Sequence, residues 1–137
     1  GPSDAYVRAR IMVSGVNPKN VKIVSAAPET PDADKVYLVM KNNGSAVKQW
    51  TKKDSDNNTY SDDFYYYLGV LAEDQKSANL LEKVVLGSNL QGEDFLNTFS
   101  VTIYHESVVA TNQPETITID TVMGVFNAAE TSNSSTP

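Results

Sequence analysis

Cysteine is absent from this chain of 137 residues. That excludes disulfides, thiolate metal sites and cysteine nucleophiles. Histidine occurs once, as His105. A zinc hydrolase of the helical type needs two histidines one turn apart and a third ligand. His105-Glu106 stands in a strand pattern and residue 109 is Val109, so that chemistry is not expected. A serine hydrolase would rest wholly on His105, and no G-x-S-x-G elbow surrounds any serine. Glycoside hydrolysis needs only two carboxylates, and the pattern singles out no pair. Positive charge is also scarce: 11 Lys and Arg stand against 17 Asp and Glu, a net charge of −6. Nucleic acid needs a basic footprint and anionic membranes need basic patches, so neither is an expected partner. No run approaches ~18 apolar residues, the length of a spanning helix, and none reads as a signal peptide. The expectation is a protein that is not an enzyme and needs no cofactor.

What the chain does have is strands. The stretch from Tyr60 to Leu86 is the densest. Residues 64–71 (FYYYLGVL) are aromatic and branched, which favours a strand. Glu73 to Lys76 read as a charged connector, and residues 80–86 as a second strand of the same sheet. Tyr65 and Tyr67 share one face, and Phe64, Tyr66 and Leu68 the other. Such a sheet has one core face and one wet face, since tyrosine packs its ring and keeps its hydroxyl partnered.

Elsewhere, residues 5–14 alternate cleanly, with Val7, Ala9, Ile11 and Val13 against Tyr6, Arg8, Arg10 and Met12. Asn17-Pro18 marks a turn. Residues 21–26 and 35–42 read as strands, the second ended by Asn43-Gly44. Val47 to Lys52, carrying Trp50, reads as its hairpin partner. Residues 95–109 read as one long strand with Phe95, Phe99, Val101 and Ile103 on its core face. Asp120 is a candidate cap for a short helix over 121–129, with Val122, Val125, Phe126 and Ala129 at helical spacing. Thr131 to Pro137 is low in complexity and reads as a disordered tail. The fold expected is all-β, an antiparallel sandwich with a short C-terminal helix and a single domain over residues 3–130.

Three segments carry a family resemblance. Tyr65, Tyr66, Tyr67 and Leu71, followed by Ser77, Leu80, Leu81, Glu82, Lys83 and Val84, are one. Asp4-Ala5-Tyr6-Val7-Arg8 is the second. Ile103 to Ala110 is the third, with Val109 where glutamine is preferred. Their sequence and order resemble the TasA and camelysin family, Gram-positive proteins exported with a SipW-type signal peptide. The resemblance implies a jelly roll, secretion to the matrix or cell surface, and assembly into biofilm fibres with copies of itself or homologous subunits. In that family a signal peptide and several strands precede the "AYVR" strand, so upstream strands are expected beyond this chain. Gly1-Pro2 reads as a protease-site scar or as native sequence.

Two further patterns bear on sites. Asp54, Asp56 and Asn58 have the spacing of the first ligands of a calcium loop. Thr59 stands in place of its glycine and Tyr65 in place of its glutamate. Asn43-Gly44-Ser45, Asn57-Asn58-Thr59 and Asn133-Ser134-Ser135 match the glycosylation pattern, which carries little weight in a bacterial protein. The tyrosine cluster has two readings: core and cross-strand packing, or an exposed strand that templates assembly, flanked by Asp62-Asp63 and Glu73-Asp74 as gatekeepers. Three functions follow in order: a structural fibre subunit assembling by strand addition; a β-sandwich module binding carbohydrate or a surface ligand through Trp50 and the tyrosines; and a secreted protease of the camelysin type.

Overall fold

A computed structural model describes residues 4–41, 50–51, 64–72, 79–111 and 113–134. The chain is mostly β, with a C-terminal helix. Among the described residues, seven strands run in the order β1 (Ala5–Ser14), β2 (Val21–Val24), β3 (Val36–Met40), β4 (Trp50–Thr51), β5 (Tyr65–Tyr67), β6 (Leu81–Leu86) and β7 (Ser100–Val109). Helix α1 (Glu93–Thr98) precedes β7, and α2 (Ile119–Ser134) follows it. The strands form a four-stranded sheet, β4-β5-β1-β7, and a three-stranded sheet, β2-β3-β6. The chain divides into two compact units. One comprises Gly1–Arg10, Ser45–Ala78 and Ile103–Pro137; the other comprises Ile11–Gly44 and Asn79–Thr102.

In the first unit, β1 and β5 are antiparallel, with Arg8 opposite Tyr66 and Ala9 opposite Tyr65. An antiparallel bridge adds Ala5 opposite Leu71. The Ala110 N–H donates to the Asp4 carbonyl at 2.9 Å, and Arg8 Nε donates to Glu106 Oε1 at 2.8 Å. Both contacts fit one antiparallel register of β1 on β7, which sets Arg8 opposite Glu106. The core gathers Tyr6, Phe64, Tyr66 and Ala110 against Ile119, Val122 and Phe126 of α2. Those three α2 residues recur at three and four, one stripe of a helix.

In the second unit, β2 runs parallel to β3, from Val21 opposite Val36 to Val24 opposite Val39. β3 runs antiparallel to β6, with a bulge at Val39/Met40. Val36, Leu38 and Val39 are buried, as suits a central strand rich in branched residues. Gly15 has φ +85°, and a Cβ there would stand 2.3 Å from the Thr98 carbonyl oxygen; only glycine turns the chain out of β1 in that space.

Several expectations are corrected. β5 and β6 lie in different sheets, because alternation marks a strand without naming its partner. The strand at residues 64–71 shrinks to Tyr65–Tyr67. Its second face is not wet, since Tyr67 is buried and Tyr65 half-buried. Trp50–Thr51 pairs with Tyr67 and Tyr66 rather than with the strand before it. Residues 95–98 are helical rather than extended. Glu93 and Asp94 favour the positive N-terminal end of α1, and the Phe95 and Phe99 rings stack at 5.1 Å, one turn apart. The C-terminal helix begins at Ile119 and reaches Ser134, into the expected tail. Its cap is Thr118, whose Oγ1 accepts from the Thr121 N–H at 3.3 Å, and Asp120 lies inside the first turn.

Gly124 is exposed on α2, and nothing lies within 4 Å of where its Cβ would stand. Gly124→Ala is therefore expected to raise stability by about 1 kcal/mol, read as a higher midpoint in urea unfolding.

Candidate functional site

The one buried charged residue among those described is Arg8, 5% exposed. Its place on β1 sets its neighbours: Tyr66 on one side, Glu106 on the other, and α2 across the face. Arg8 Nε donates to Glu106 Oε1 at 2.8 Å. Nη1 donates to Tyr66 Oη at 3.2 Å. Nη2 pairs with Glu106 Oε1 at 2.8 Å and with Glu130 of α2. The guanidinium carbon lies 3.9 Å from the Phe64 ring centre and 4.5 Å from that of Phe126, within cation–π range. Burial alone pulls the Arg8 pKa down. Hydrogen bonds to Glu130, Tyr66 and Glu106 outweigh that and hold it above the ordinary arginine value. A cation whose folded pKa is raised contributes its full stability below the unfolded pKa and loses it only as pH rises through the folded one. Arg8 thus stays charged at every pH a cell meets.

This arrangement fastens rather than reacts. An arginine cannot shuttle protons, and every polar contact of Arg8 here serves to hold β5, β1, β7 and α2 together. Among the described residues, no group of three His, Asp or Glu side chains could hold a metal ion.

The residues singled out in the sequence divide between the two units. Tyr6, Arg8 and Tyr66 come together, and Glu106 from the third matching segment joins them. Val7 and Tyr65 are half-buried beside them in β1 and β5. Tyr67 pairs with Trp50, and Leu71 bridges to Ala5. Leu80 is buried in the second unit, where Leu81, Glu82 and Val84 lie on β6. Asp54, Asp56, Asn58 and Tyr60, like the Trp50 side chain, fall outside what the structure describes. Sequence reasoning missed Phe64, Glu106 and Glu130 as partners of Arg8. Glu130 had a signal: it follows Phe126 by four residues, on the same helical stripe as Val122.

Tyr6 is wholly buried in this core, and among the described residues its hydroxyl has no hydrogen-bond partner. Burial also pushes its pKa up. An unpaired buried hydroxyl costs about 1–3 kcal/mol of desolvation. Tyr6→Phe is expected to leave stability unchanged or raise it by up to ~1 kcal/mol, against the usual loss on trimming a buried side chain. Thermal unfolding of the variant checks this.

The second feature is a sheet edge. β7 ends the four-stranded sheet, and among the described residues it has a strand neighbour on one side only. The bond from Ala110 to Asp4 fixes which backbone groups face β1. They belong to the even-numbered residues of β7, so Val101, Ile103, Ser107 and Val109 turn theirs outward. Ser100–Val109 holds no proline, glycine or lysine, the residues that commonly blunt an edge or bend it away. Its one carboxylate, Glu106, is drawn inward onto Arg8. Tyr104 is 41% and Val109 54% exposed.

In comparisons with known proteins, no protein-family model, no curated protein and no solved structure matches this chain.

Proposed function

We propose that this chain is a structural subunit of an extracellular fibre. It is secreted by a Gram-positive bacterium and assembles in a biofilm matrix or pilus-like polymer, in the manner of the TasA and camelysin proteins. The subunit is a jelly-roll sandwich, and subunits join when a strand from one copy or a homologous subunit extends the sheet of the next. The observation that carries this reading is the β7 edge: ten residues long, last in its sheet among the described residues, and without the usual blunting residues. Such an edge is a template for another strand. Supporting it, the three segments that resemble the family include the strands β1, β5 and β7, which lie side by side. Arg8 locks them to one another and to α2, which suits a subunit that must bear load. No described helix is long and apolar enough to cross a membrane.

Negative-stain microscopy with light scattering, over a concentration series of the purified chain and of a version extended upstream, tests the reading. Filaments from either version are the expected result. Monomers of both under every condition would remove the fibre reading and leave ligand binding to be pursued.

A further inference from the structure

We propose that the three-stranded sheet of the second unit continues from one copy of this chain into the next, β6 of one copy pairing antiparallel with β2 of the other. The proposal rests on the strand-addition reading for its fibre, and it names a second surface that lies wholly in one unit.

β2 and β6 end this sheet among the described residues. β2 is parallel to β3, and β6 is antiparallel to it, so β2 and β6 run opposite ways. A copy shifted sideways without turning over therefore brings its β2 antiparallel to β6, with like faces on the same side.

Backbone groups then fix the register. The Gly87 N–H donates to the Lys35 carbonyl at 2.9 Å, so Lys83 and Val85 face β3 while Val84 and Leu86 turn outward. β3 turns Val36 and Leu38 toward β2, which leaves Val21 and Ile23 facing outward. Two of these outward groups are already used within the chain. The Val21 N–H donates to the Pro18 carbonyl, and Gln91 Nε2 donates to the Leu86 carbonyl at 2.9 Å. Setting Val84 opposite the next copy's Ile23 places those two used groups against each other. The others pair: Val84 and Ile23 exchange two bonds, and the Leu86 N–H meets the Val21 carbonyl. Sliding by two residues either way sets a used group against a Val84 or Ile23 group and loses that bond. One of those slides also puts Lys83 opposite Lys22, like charge against like.

The side chains agree with this register. Ile23 and Val84 flank buried Leu38 across the sheet, yet they are 51% and 37% exposed. Between copies they meet, and the apolar row Ile23, Leu38, Val84 repeats along the sheet. Val21, Val36 and Leu86 form a second apolar row beside it. Lys22 and Lys83 fall on the other face, opposite Val85 and Val24. The contact joins unlike surfaces, so it propagates through many copies rather than stopping at a dimer.

The chain lacks cysteine, so introduced thiols report this contact alone. Lys22 and Val85 of neighbouring copies would face each other at a non-hydrogen-bonded site, with Cα atoms ~4.5 Å apart, within disulfide reach. Inside one chain they stand two strand spacings apart, roughly 10 Å, and cannot be bridged. The test is oxidation by diamide of full chains carrying Lys22→Cys, Val85→Cys or both, read on a non-reducing gel. An equimolar mixture of the single variants is expected to give a dimer of twice 14.9 kDa. The double variant should give a ladder of multiples of that mass. Adding Ile23→Lys, at an exposed position, should remove the ladder and leave far-UV circular dichroism unchanged. A mixture that gives no dimer overturns the proposal. So do single variants that cross-link alone as readily as the mixture, or a ladder that survives Ile23→Lys. Filaments from wild type with no ladder from the double variant would overturn it while leaving the fibre reading standing. A ladder from a chain that makes no filaments would do the reverse.

Discussion

Arg8→Ala is expected to lower unfolding stability by about 3 kcal/mol, a large share of the roughly 5–15 kcal/mol a domain has. Three losses add up. The Phe64 and Phe126 rings lose the cation between them, at 3.9 and 4.5 Å. The Tyr66 hydroxyl loses the Arg8 donor. The carboxylates lose their counter-charge, though this counts for less. The Glu106 and Glu130 side chains are 33% and 58% exposed, so water can take over. For that reason Glu130→Gln is expected to cost under ~1 kcal/mol. Arg8→Lys falls between the two, because an ammonium cannot make the guanidinium's fork or stack as well. Urea unfolding of the three variants checks the order. Equal losses from Arg8→Ala and Glu130→Gln would mean that the ion pair, rather than the aromatic box, supplies the stability.

Phe126→Ala is expected to cost about 3–5 kcal/mol, the range for a buried aromatic cut to a methyl. Phe126 is 4% exposed. Its ring meets Tyr66 edge-on, with centroids 6.0 Å apart, and forms one wall of the Arg8 box. The substitution opens a cavity and takes away one of the two rings nearest the guanidinium. A lone helix of sixteen residues is marginal in water, so α2 is expected to lose helix when its anchor goes. Circular dichroism and urea unfolding should show lower helix content together with lower stability. Phe126→Leu, which fills most of the space, should recover the helix and about half of the stability.

How far the fold could be read from sequence depends on the kind of signal. β1 was legible to the residue, because ten positions alternate without interruption. The stripe of Val122, Val125 and Phe126 gave α2, although not its ends. Phe95 and Phe99 misled because a spacing of four places two residues together both in a strand and in a helix. The acidic pair before them was the deciding clue. Sheet membership was not legible at all. β5 and β6 are separated by a short stretch of chain and read as partners, yet β6 pairs with β3 and β5 sits between β4 and β1. Periodicity is local, whereas pairing is decided over long range.

Arg8 was singled out as a motif residue, but its burial had no local sign. An arginine within a strand pattern reads as surface. Only the register that brings Tyr66 and Glu106 to its two sides, with Phe126 and Glu130 across the face, makes burial affordable. The place of β7 at the end of the described sheet was likewise invisible, because an edge belongs to the sheet and not to the strand.

The most direct measurement is amide hydrogen exchange along β7 at low and at high protein concentration. The account predicts that the Thr102, Tyr104, Glu106 and Val108 amides, which face β1, are protected in both. The Val101, Ile103, Ser107 and Val109 amides should exchange freely when dilute and become protected as subunits associate. If those four amides exchange at the same rate at every concentration, β7 is not the surface through which this chain assembles.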